Sequence, residues 1–174
     1  MIPSCISELV SCSPIVGFSG SRVAAEGAPE AIAEISSFVS SSSVVAVGCA
    51  KGVDQIAREL FSEARVFSVA SGEYGKGKSA FARRSMACVE ACQGGLWISF
   101  PASSCPPGLM PKKSAFSGYG SGSWSSLSYA LALDIKSVLW LPPSVSPPAG
   151  WGLVAAGGGW FLSAPPSSVQ LSLF

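Results

Sequence analysis

The sequence contains no histidine, and none of its six cysteines forms a C-x-x-C pair. Histidine is the usual base of catalytic triads and, together with paired cysteines, the usual ligand of structural zinc. We therefore expect neither a histidine-based triad nor a zinc site, and we predict no metal site. Cys88 and Cys92 are four residues apart and could share a helix face, but free cysteine is commonly a small buried hydrophobic residue, and we interpret both in this way.

Charged residues are scarce, at 12% of the chain, with 11 Lys and Arg against 10 Asp and Glu. This balance argues against strong sequence-independent binding to duplex DNA, which depends on neutralising many phosphates at once. A local basic patch is still compatible with a nearly neutral net charge. A membrane span is not expected either, because the most apolar segment, LSYALALDIKSVLWL, is interrupted by Asp134 and Lys136 well short of the roughly 20 residues required.

The first residues, MIPSCISELVSC, lack a basic region and include Glu8, unlike a secretory signal peptide. We therefore expect a cytoplasmic protein. A length of 174 residues favours one domain with its own core. The predicted organisation is an N-terminal extension (1–13), a main domain (14–142), a proline-rich linker with a β-hairpin (143–163) and a C-terminal tail (164–174).

Short segments rich in Val, Ile, Phe and Trp alternate with helical patterns, as is typical of β-α units around a parallel sheet. We predict an α/β fold, a Rossmann-like three-layer sandwich with a five-stranded, mainly parallel sheet, plus a C-terminal hairpin that turns at Gly157 to Gly159. Ligands of such folds bind beyond the carboxyl ends of the strands. The predicted strands are residues 14–20, 44–48, 65–70, 95–100 and 137–142.

Four helices are predicted between these strands from apolar residues at helical spacing. The long Pro/Gly/Ser segment 102–122 is predicted to be a functional loop. The expected inward-facing residues are Ile32, Ile35, Phe38 and Val39 in the first helix; Val53, Ile56, Ala57 and Leu60 in the second; Ala82, Ser85, Met86 and Val89 in the third, at about residues 79–92; and Leu127, Ala130 and Leu131 in the fourth.

Two small-residue loops follow the first two predicted strands. In GFSGSR, small residues would let a ligand approach the backbone and Arg22 could pair with a phosphate; the alternative is a tight turn with a surface arginine. GCAKGVDQIARE leads through glycines into a helix N-terminus, which favours anions. Asp54 either caps this helix or hydrogen-bonds a ribose or base. The predicted ligand-binding residues here are Gly20, Ser21, Arg22, Gly48, Cys49, Ala50, Lys51, Gly52 and Asp54.

GFSGSR followed by GCAKGVDQIARE resembles the GSR and GGARGxDxxA pattern of the SLOG superfamily, which includes DNA-processing protein A and the LOG cytokinin-activating hydrolases. YGKGKSAFARRSM is similar to a G-K-rich, arginine-bearing segment of the small bacterial and phage branch, and LWISFP followed by GYGSGSW is similar to its strand-plus-glycine loop. The resemblance covers residues 14–142 in order. It implies a Rossmann-like domain that binds a nucleotide or nucleotide derivative, with no certain cofactor.

The segment GEYGKGKS (72–79) fits G-x-x-x-x-G-K-[ST], the phosphate loop of P-loop NTPases. A P-loop follows the central first strand and requires another strand that ends in Asp to hold Mg²⁺. Here the segment follows the third predicted strand, and VVAVG, GLWISF and SVLWLP do not end in an acid. We interpret the match as accidental, with a P-loop NTPase as an alternative function. We predict that Lys76, Lys78, Arg83 and Arg84 form the positive wall of the ligand site, rather than solvated charges at the helix start.

The loop GYGSGSW leads into the fourth predicted helix and adds Gly120, Ser121, Gly122 and Ser123 to the predicted site. In the LOG hydrolases the corresponding motif is P-G-G-x-G-T-x-x-E, whose glutamate belongs to the hydrolytic site. Matching Gly122 and Ser123 to its GT places Ser126 at the glutamate position. The resemblance therefore does not extend to phosphoribohydrolase activity.

The preferred interpretation is a SLOG-type nucleotide-binding protein that forms a homo-oligomer through apolar surface. An alternative is a nucleotide-processing N-glycosidase or phosphoribohydrolase, with Asp54, Glu73 or an acid from a second subunit as the base. Another is a DNA-processing accessory that binds single-stranded DNA through a basic groove lined by some of the five tryptophans, although most of these are expected in the core.

The last five residues, QLSLF, follow a Pro/Ser-rich linker, SAPPSSV, that favours an extended peptide. They resemble the Q-L-[SD]-L-F peptide with which bacterial polymerases and repair proteins bind the DNA polymerase sliding clamp. Leu171, Leu173 and Phe174 would be apolar anchors, and Gln170 would hydrogen-bond at the pocket rim. The alternative is an edge strand of the domain itself. Clamp binding would link the protein to DNA replication or repair.

Overall fold

A computed structural model describes residues 1–164, and this part of the chain contains five α-helices and seven β-strands. The helices are α1 (Ser4–Cys12), α2 (Ala28–Ser36), α3 (Val53–Leu60), α4 (Lys78–Glu90) and α5 (Gly122–Ala132). The strands are β1 (Ile15–Gly20), β2 (Val44–Gly48), β3 (Arg65–Phe67), β4 (Leu96–Phe100), β5 (Lys136–Trp140), β6 (Leu153–Gly157) and β7 (Trp160–Ser163).

The seven strands form one mixed sheet in the order β3-β2-β1-β4-β5-β7-β6. The first five are parallel to one another, whereas β7 pairs antiparallel with β5 and β6 pairs antiparallel with β7. The predicted sheet of five strands was therefore two strands too small. The predicted hairpin is present, but its two strands extend the same sheet. Leu141 donates a backbone hydrogen bond of 2.9 Å to the carbonyl of Gly159 in the hairpin turn, which fastens the turn next to β5.

Helices pack on both faces of the sheet, because the parallel strands are buried on both sides. Apolar residues of α1, α2 and α3 share one core with Val16 and Phe18 of β1. Residues of α4 and α5 share a second core with Trp97 of β4 on the opposite face. This arrangement places the N-termini of α3 and α4 on either side of the carboxyl end of β2, where the two helix layers can meet.

Two local predictions differ from the structure. The third strand ends at Phe67 rather than residue 70, because the chain turns into a 3₁₀ helix at Val69–Ser71. Helix α2 ends at Ser36, so Phe38 lies beyond it and stays 37% exposed. The N-terminal extension contains α1, whose Ile6 and Val10 are fully buried against the sheet. No helix within residues 1–164 combines the length and apolar character that crossing a membrane requires.

The hairpin shares the core of the parallel strands, and a substitution in the hairpin can test this through the free energy of unfolding. Trp160 of β7 is 1% exposed, and its ring lies 5.8 Å from that of Phe100 in β4. We expect Trp160→Ala to lower the free energy of unfolding by about 3–5 kcal/mol in a single cooperative denaturant transition. Val154→Ala, in the same hairpin but 58% exposed, is the control and should change it by less than about 0.5 kcal/mol. Two separate transitions would contradict a common core.

Candidate functional site

A cavity of about 750 Å³ opens at the carboxyl ends of β1 and β2, between α4 and α5. It lies beside the point where the strand order reverses, since β2 and β4 flank β1 on opposite sides. Open α/β sheets bind their ligands at such a reversal. The volume is within the roughly 300–1,000 Å³ of small-molecule sites.

Twelve of the sixteen predicted ligand-binding residues line this cavity, contributed by all four loops. They are Gly20, Ser21, Arg22, Gly48, Ala50, Asp54, Lys78, Arg84, Gly120, Ser121, Gly122 and Ser123. The remaining four, Cys49, Lys51, Gly52 and Arg83, do not line it. Four aromatic residues that were not predicted also line the cavity: Phe18, Phe81, Phe116 and Tyr119. Trp97, one of the five tryptophans considered for a DNA-binding groove, lines it as well.

Two of the four outlying residues shape the loops instead. Gly52 has a φ of +70°, and a Cβ there would collide with the carbonyl of Ser21. Its small size therefore serves packing between two loops rather than the approach of a ligand. The Arg83 Nε atom donates a hydrogen bond of 2.7 Å to the Tyr74 carbonyl and holds the loop before α4. Lys51 is exposed.

Helix α4 buries a different face from the predicted one. Its buried residues are Ala80, Arg84, Cys88 and Val89, so only Val89 of the four expected residues is fully inside. The face is turned because Arg84 reaches Asp54 of α3: the Nη1 atom lies 3.3 Å from Oδ2, and the two side chains are 9% and 7% exposed. Arg84, predicted as part of an open positive wall, is thus a buried partner of an acid.

Asp54 does not cap its own helix. Its Oδ2 atom accepts hydrogen bonds from the Ala50 backbone N–H at 3.2 Å and from Arg84. Burial raises the pKa of the Asp54 carboxyl, and this effect outweighs the opposing influence of Arg84 and of the Ala50 N–H. The carboxylate therefore braces the loop after β2 and the start of α4.

Arg58 holds the same loop and was not predicted as a site residue. Its Nη1 and Nη2 atoms donate to the carbonyls of Gly48 at 2.6 Å and Ala50 at 2.9 Å. The signal in the sequence was its position one helical turn after Asp54, which places both side chains toward the same loop. Arg58 positions the backbone that Asp54 contacts.

Two buried donors on cavity-lining residues have no hydrogen-bond partner within the described residues. They are Nε of Arg84 and Nε1 of Trp97. Buried N–H groups nearly always have partners, and leaving one unpaired is unfavourable. Both atoms lie beneath the cavity surface, whereas the Arg84 Nη2 atom is not fully buried and makes no hydrogen bond among the described residues. Nη2 can only donate, so it matches a ligand that presents acceptor oxygens or nitrogens.

The outer part of the cavity is open and basic. Arg22 and Lys78 are exposed, and the Arg22 guanidinium lies 6.0 Å from the ring centre of Phe81 in the first turn of α4. Across from them, Ser121 caps α5 by accepting a hydrogen bond from the Trp124 N–H. Ser126, at the position of the hydrolase glutamate, donates to the Gly122 carbonyl at 2.8 Å within its own helix.

Most of the segment that fits the P-loop pattern lies outside the cavity. Only Lys78 of residues 72–79 lines the cavity, and the segment follows β3, the strand at one edge of the sheet. Glu73, a predicted alternative base, is exposed and does not line the cavity. Its carboxylate accepts a hydrogen bond of 3.3 Å from the Ser71 hydroxyl. Asp54 is the one acid among the described residues that line it.

The tryptophans and the helical cysteines belong to the core. All five tryptophans are at most 8% exposed, so none offers an open face for stacking a base. Cys88 and Cys92 are buried as well, and burial raises the pKa of each thiol, to about 12 for Cys92. For Cys49, burial alone would raise the thiol pKa, but hydrogen bonds from Val69 and Ser68 and the charge of Arg84 lower it overall.

A substitution of Gly48 tests whether the Asp54–Arg84 pair lies over the end of β2. A Cβ there would collide with Nη1 of Arg84 and with Oδ2 of Asp54, so we expect Gly48→Ala to displace the guanidinium and lower the free energy of unfolding by about 1–3 kcal/mol. Gly122→Ala is the control, because its added Cβ meets no atom within 4 Å apart from its chain neighbours and the backbone of its own helix. Equal denaturation midpoints for the two variants would show that the Arg84 guanidinium does not pack against Gly48.

Comparison with known proteins adds no template for this site. The chain matches no protein-family model, and no curated protein or solved structure is significantly similar to it. The predicted clamp-binding residues Gln170, Leu171, Leu173 and Phe174 lie outside the residues that the structure describes. A function for the cavity must therefore be argued from its own residues.

Proposed function

We propose that this protein binds a nucleotide or a nucleotide derivative in the cavity between α4 and α5. The observation that carries the proposal is the convergence of two exposed basic side chains, Arg22 and Lys78, with small residues of four loops around one cavity at the sheet reversal. Arginine and lysine bind phosphate through charge-assisted hydrogen bonds, and α/β sheets of this order commonly hold nucleotides there.

The fold supports the same proposal. We interpret the five parallel strands and their helices as a Rossmann-like core and propose that the chain belongs to the SLOG superfamily, on the motifs of residues 14–142. Helices α3, α4 and α5 each contribute residues of their first turn to the cavity wall, namely Asp54, Lys78 and Gly122. Backbone N–H groups at helix starts favour anionic ligands.

Binding is favoured over hydrolysis by the contacts of Asp54, the one acid among the described residues that line the cavity. A general base must reach a water molecule beside the bond that breaks, whereas one Asp54 oxygen is occupied by Arg84 and the Ala50 N–H. Single-stranded DNA binding is less favoured, because the tryptophans are buried. A nucleotide hydrolase stays the second candidate, since burial also raises the pKa of the Asp54 carboxyl toward the range useful for acid–base catalysis.

The binding proposal predicts a charge-dependent affinity. In calorimetric titrations with AMP, GMP, ADP, ATP and NAD, we expect saturable binding that Arg22→Ala weakens by about tenfold, which equals about 1.4 kcal/mol. Because Arg22 is exposed, thermal unfolding should not change. Lys136→Ala removes an exposed cation at the start of β5, at the opposite end of the sheet, and should leave the affinity unchanged.

Three outcomes would redirect the proposal. Absence of binding across the panel would remove it. Release of free base from a nucleoside monophosphate or from NAD would favour the hydrolase. Mg²⁺-dependent ATP turnover that is lost in Lys78→Ala would favour a P-loop NTPase, in which that lysine contacts the terminal phosphates.

We further propose that the tail QLSLF binds a DNA polymerase sliding clamp, which would place nucleotide binding in DNA replication or repair. The support is in the sequence: three apolar anchors, one amide and a preceding Pro/Ser linker. Apolar anchors that fill a preformed pocket supply most of the affinity of such peptides.

The clamp proposal predicts a defined pattern of side-chain dependence. A labelled SSVQLSLF peptide should bind a bacterial clamp saturably in fluorescence anisotropy. Leu171→Ala or Phe174→Ala should weaken binding by about thirtyfold, as expected for hot-spot residues. Ser172→Ala, between the anchors, is the matched control and should have little effect. Binding that is insensitive to both anchor substitutions would contradict the proposal.

A further inference from the structure

The floor and the rim of the cavity differ in net charge. The floor contains Asp54 and Arg84, which lie 3.3 Å apart and are each more than nine-tenths buried. The rim contains Arg22 and Lys78, which are exposed. Since Asp54 is the one acid among the described cavity-lining residues, the floor is electrically neutral and the rim is positive.

The floor also presents one donor and one acceptor side by side. The donor is the Arg84 Nη2 atom, which is not fully buried and has no hydrogen-bond partner among the described residues. The Asp54 Oδ2 atom is shared by Ala50 and Arg84, and Oδ1 makes no hydrogen bond within residues 1–164. A ligand group that both accepts and donates would satisfy the two side chains together.

A phosphate does not match this floor. Its charge would lie next to the Asp54 carboxylate in a region of low dielectric constant, where like charges repel strongly. The carboxylate is already unfavourable there, because burial raises its pKa even with Arg84 alongside. The rim has two cations and no acid among its described residues, so it is the better place for an anion.

We propose that the Asp54–Arg84 pair binds the uncharged, hydrogen-bonding part of a phosphorylated ligand, either a sugar hydroxyl or a base edge that carries a donor beside an acceptor, while the phosphate lies at the rim beside Arg22 and Lys78. This inference rests on the proposed nucleotide-binding function and adds the orientation of the ligand. Lys78 and Arg84 are six residues apart on α4, a rise of about 9 Å, which a nucleoside monophosphate spans and a phosphate ion does not.

The substitution Asp54→Asn distinguishes this orientation from its reverse. The amide would keep one oxygen for Ala50 and Arg84 and turn an N–H₂ donor toward the ligand in place of an acceptor. We expect calorimetry to show AMP and GMP binding weakened by about tenfold or more, as for the loss of a hydrogen bond to a charged group, and inorganic phosphate binding unchanged. Glu59→Gln, an exposed acid on the same helix, is the matched control.

The wild-type protein supplies a second test that needs no variant. Ribose 5-phosphate lacks the base, and 2′,3′-dideoxynucleoside monophosphates lack the hydroxyls. If the floor binds sugar hydroxyls, the dideoxy compounds should bind as weakly as inorganic phosphate. If the floor binds a base edge, ribose 5-phosphate should bind as weakly as inorganic phosphate. Both compounds binding as tightly as AMP and GMP would overturn the inference.

The failures of the two proposals are distinguishable. No binding of any nucleotide or phosphate by the wild type contradicts the proposed function and this inference with it. Wild-type binding that is unchanged or strengthened by Asp54→Asn contradicts only the orientation, because an anion at the floor would gain from losing the carboxylate. If Asp54→Asn does not fold, Arg84→Lys keeps the positive charge but removes the Nη2 donor, and an unchanged AMP and GMP affinity in that variant would equally overturn the inference.

Discussion

The ion pair between Asp54 and Arg84 is the contact on which the rest of the site depends. Asp54 belongs to α3 on one face of the sheet and Arg84 to α4 on the other. Their side chains meet over Gly48, where β2 ends and a Cβ would collide with both. Removing one partner of such a buried pair typically costs about 3–5 kcal/mol. The pair therefore joins the two helix layers at the edge where the cavity opens.

The same pair gives the cavity its chemical character. Two opposite charges at the floor cancel, whereas Arg22 and Lys78 at the rim stay uncompensated among the described residues. Such a gradient selects a molecule with an anionic end and a neutral, hydrogen-bonding end, which is the chemistry of a nucleotide. The proposed clamp-binding peptide at residues 170–174 would link the proposed binding function to replicating DNA.

The sequence predicted the five parallel strands and twelve of the 23 residues that line the cavity, because both depend on local signals: β-α alternation, and small residues where strands end. It did not predict the orientation of α4, since apolar periodicity favours Met86 inward, whereas Arg84 is buried through a partner thirty residues away. The hairpin was recognised from Gly157–Gly159, but its pairing with β5 depends on tertiary contacts. Helix α1 carries no capping side chain that would have marked its start.

A crystal structure of the wild-type protein with a bound nucleoside monophosphate would test the central claim most directly. The account predicts the phosphate within hydrogen-bonding distance of Arg22 and Lys78, and a sugar hydroxyl or base edge in contact with Asp54 Oδ1 and Arg84 Nη2. A phosphate bound at Arg84 beneath Gly48, or a nucleotide bound outside the cavity, would contradict it.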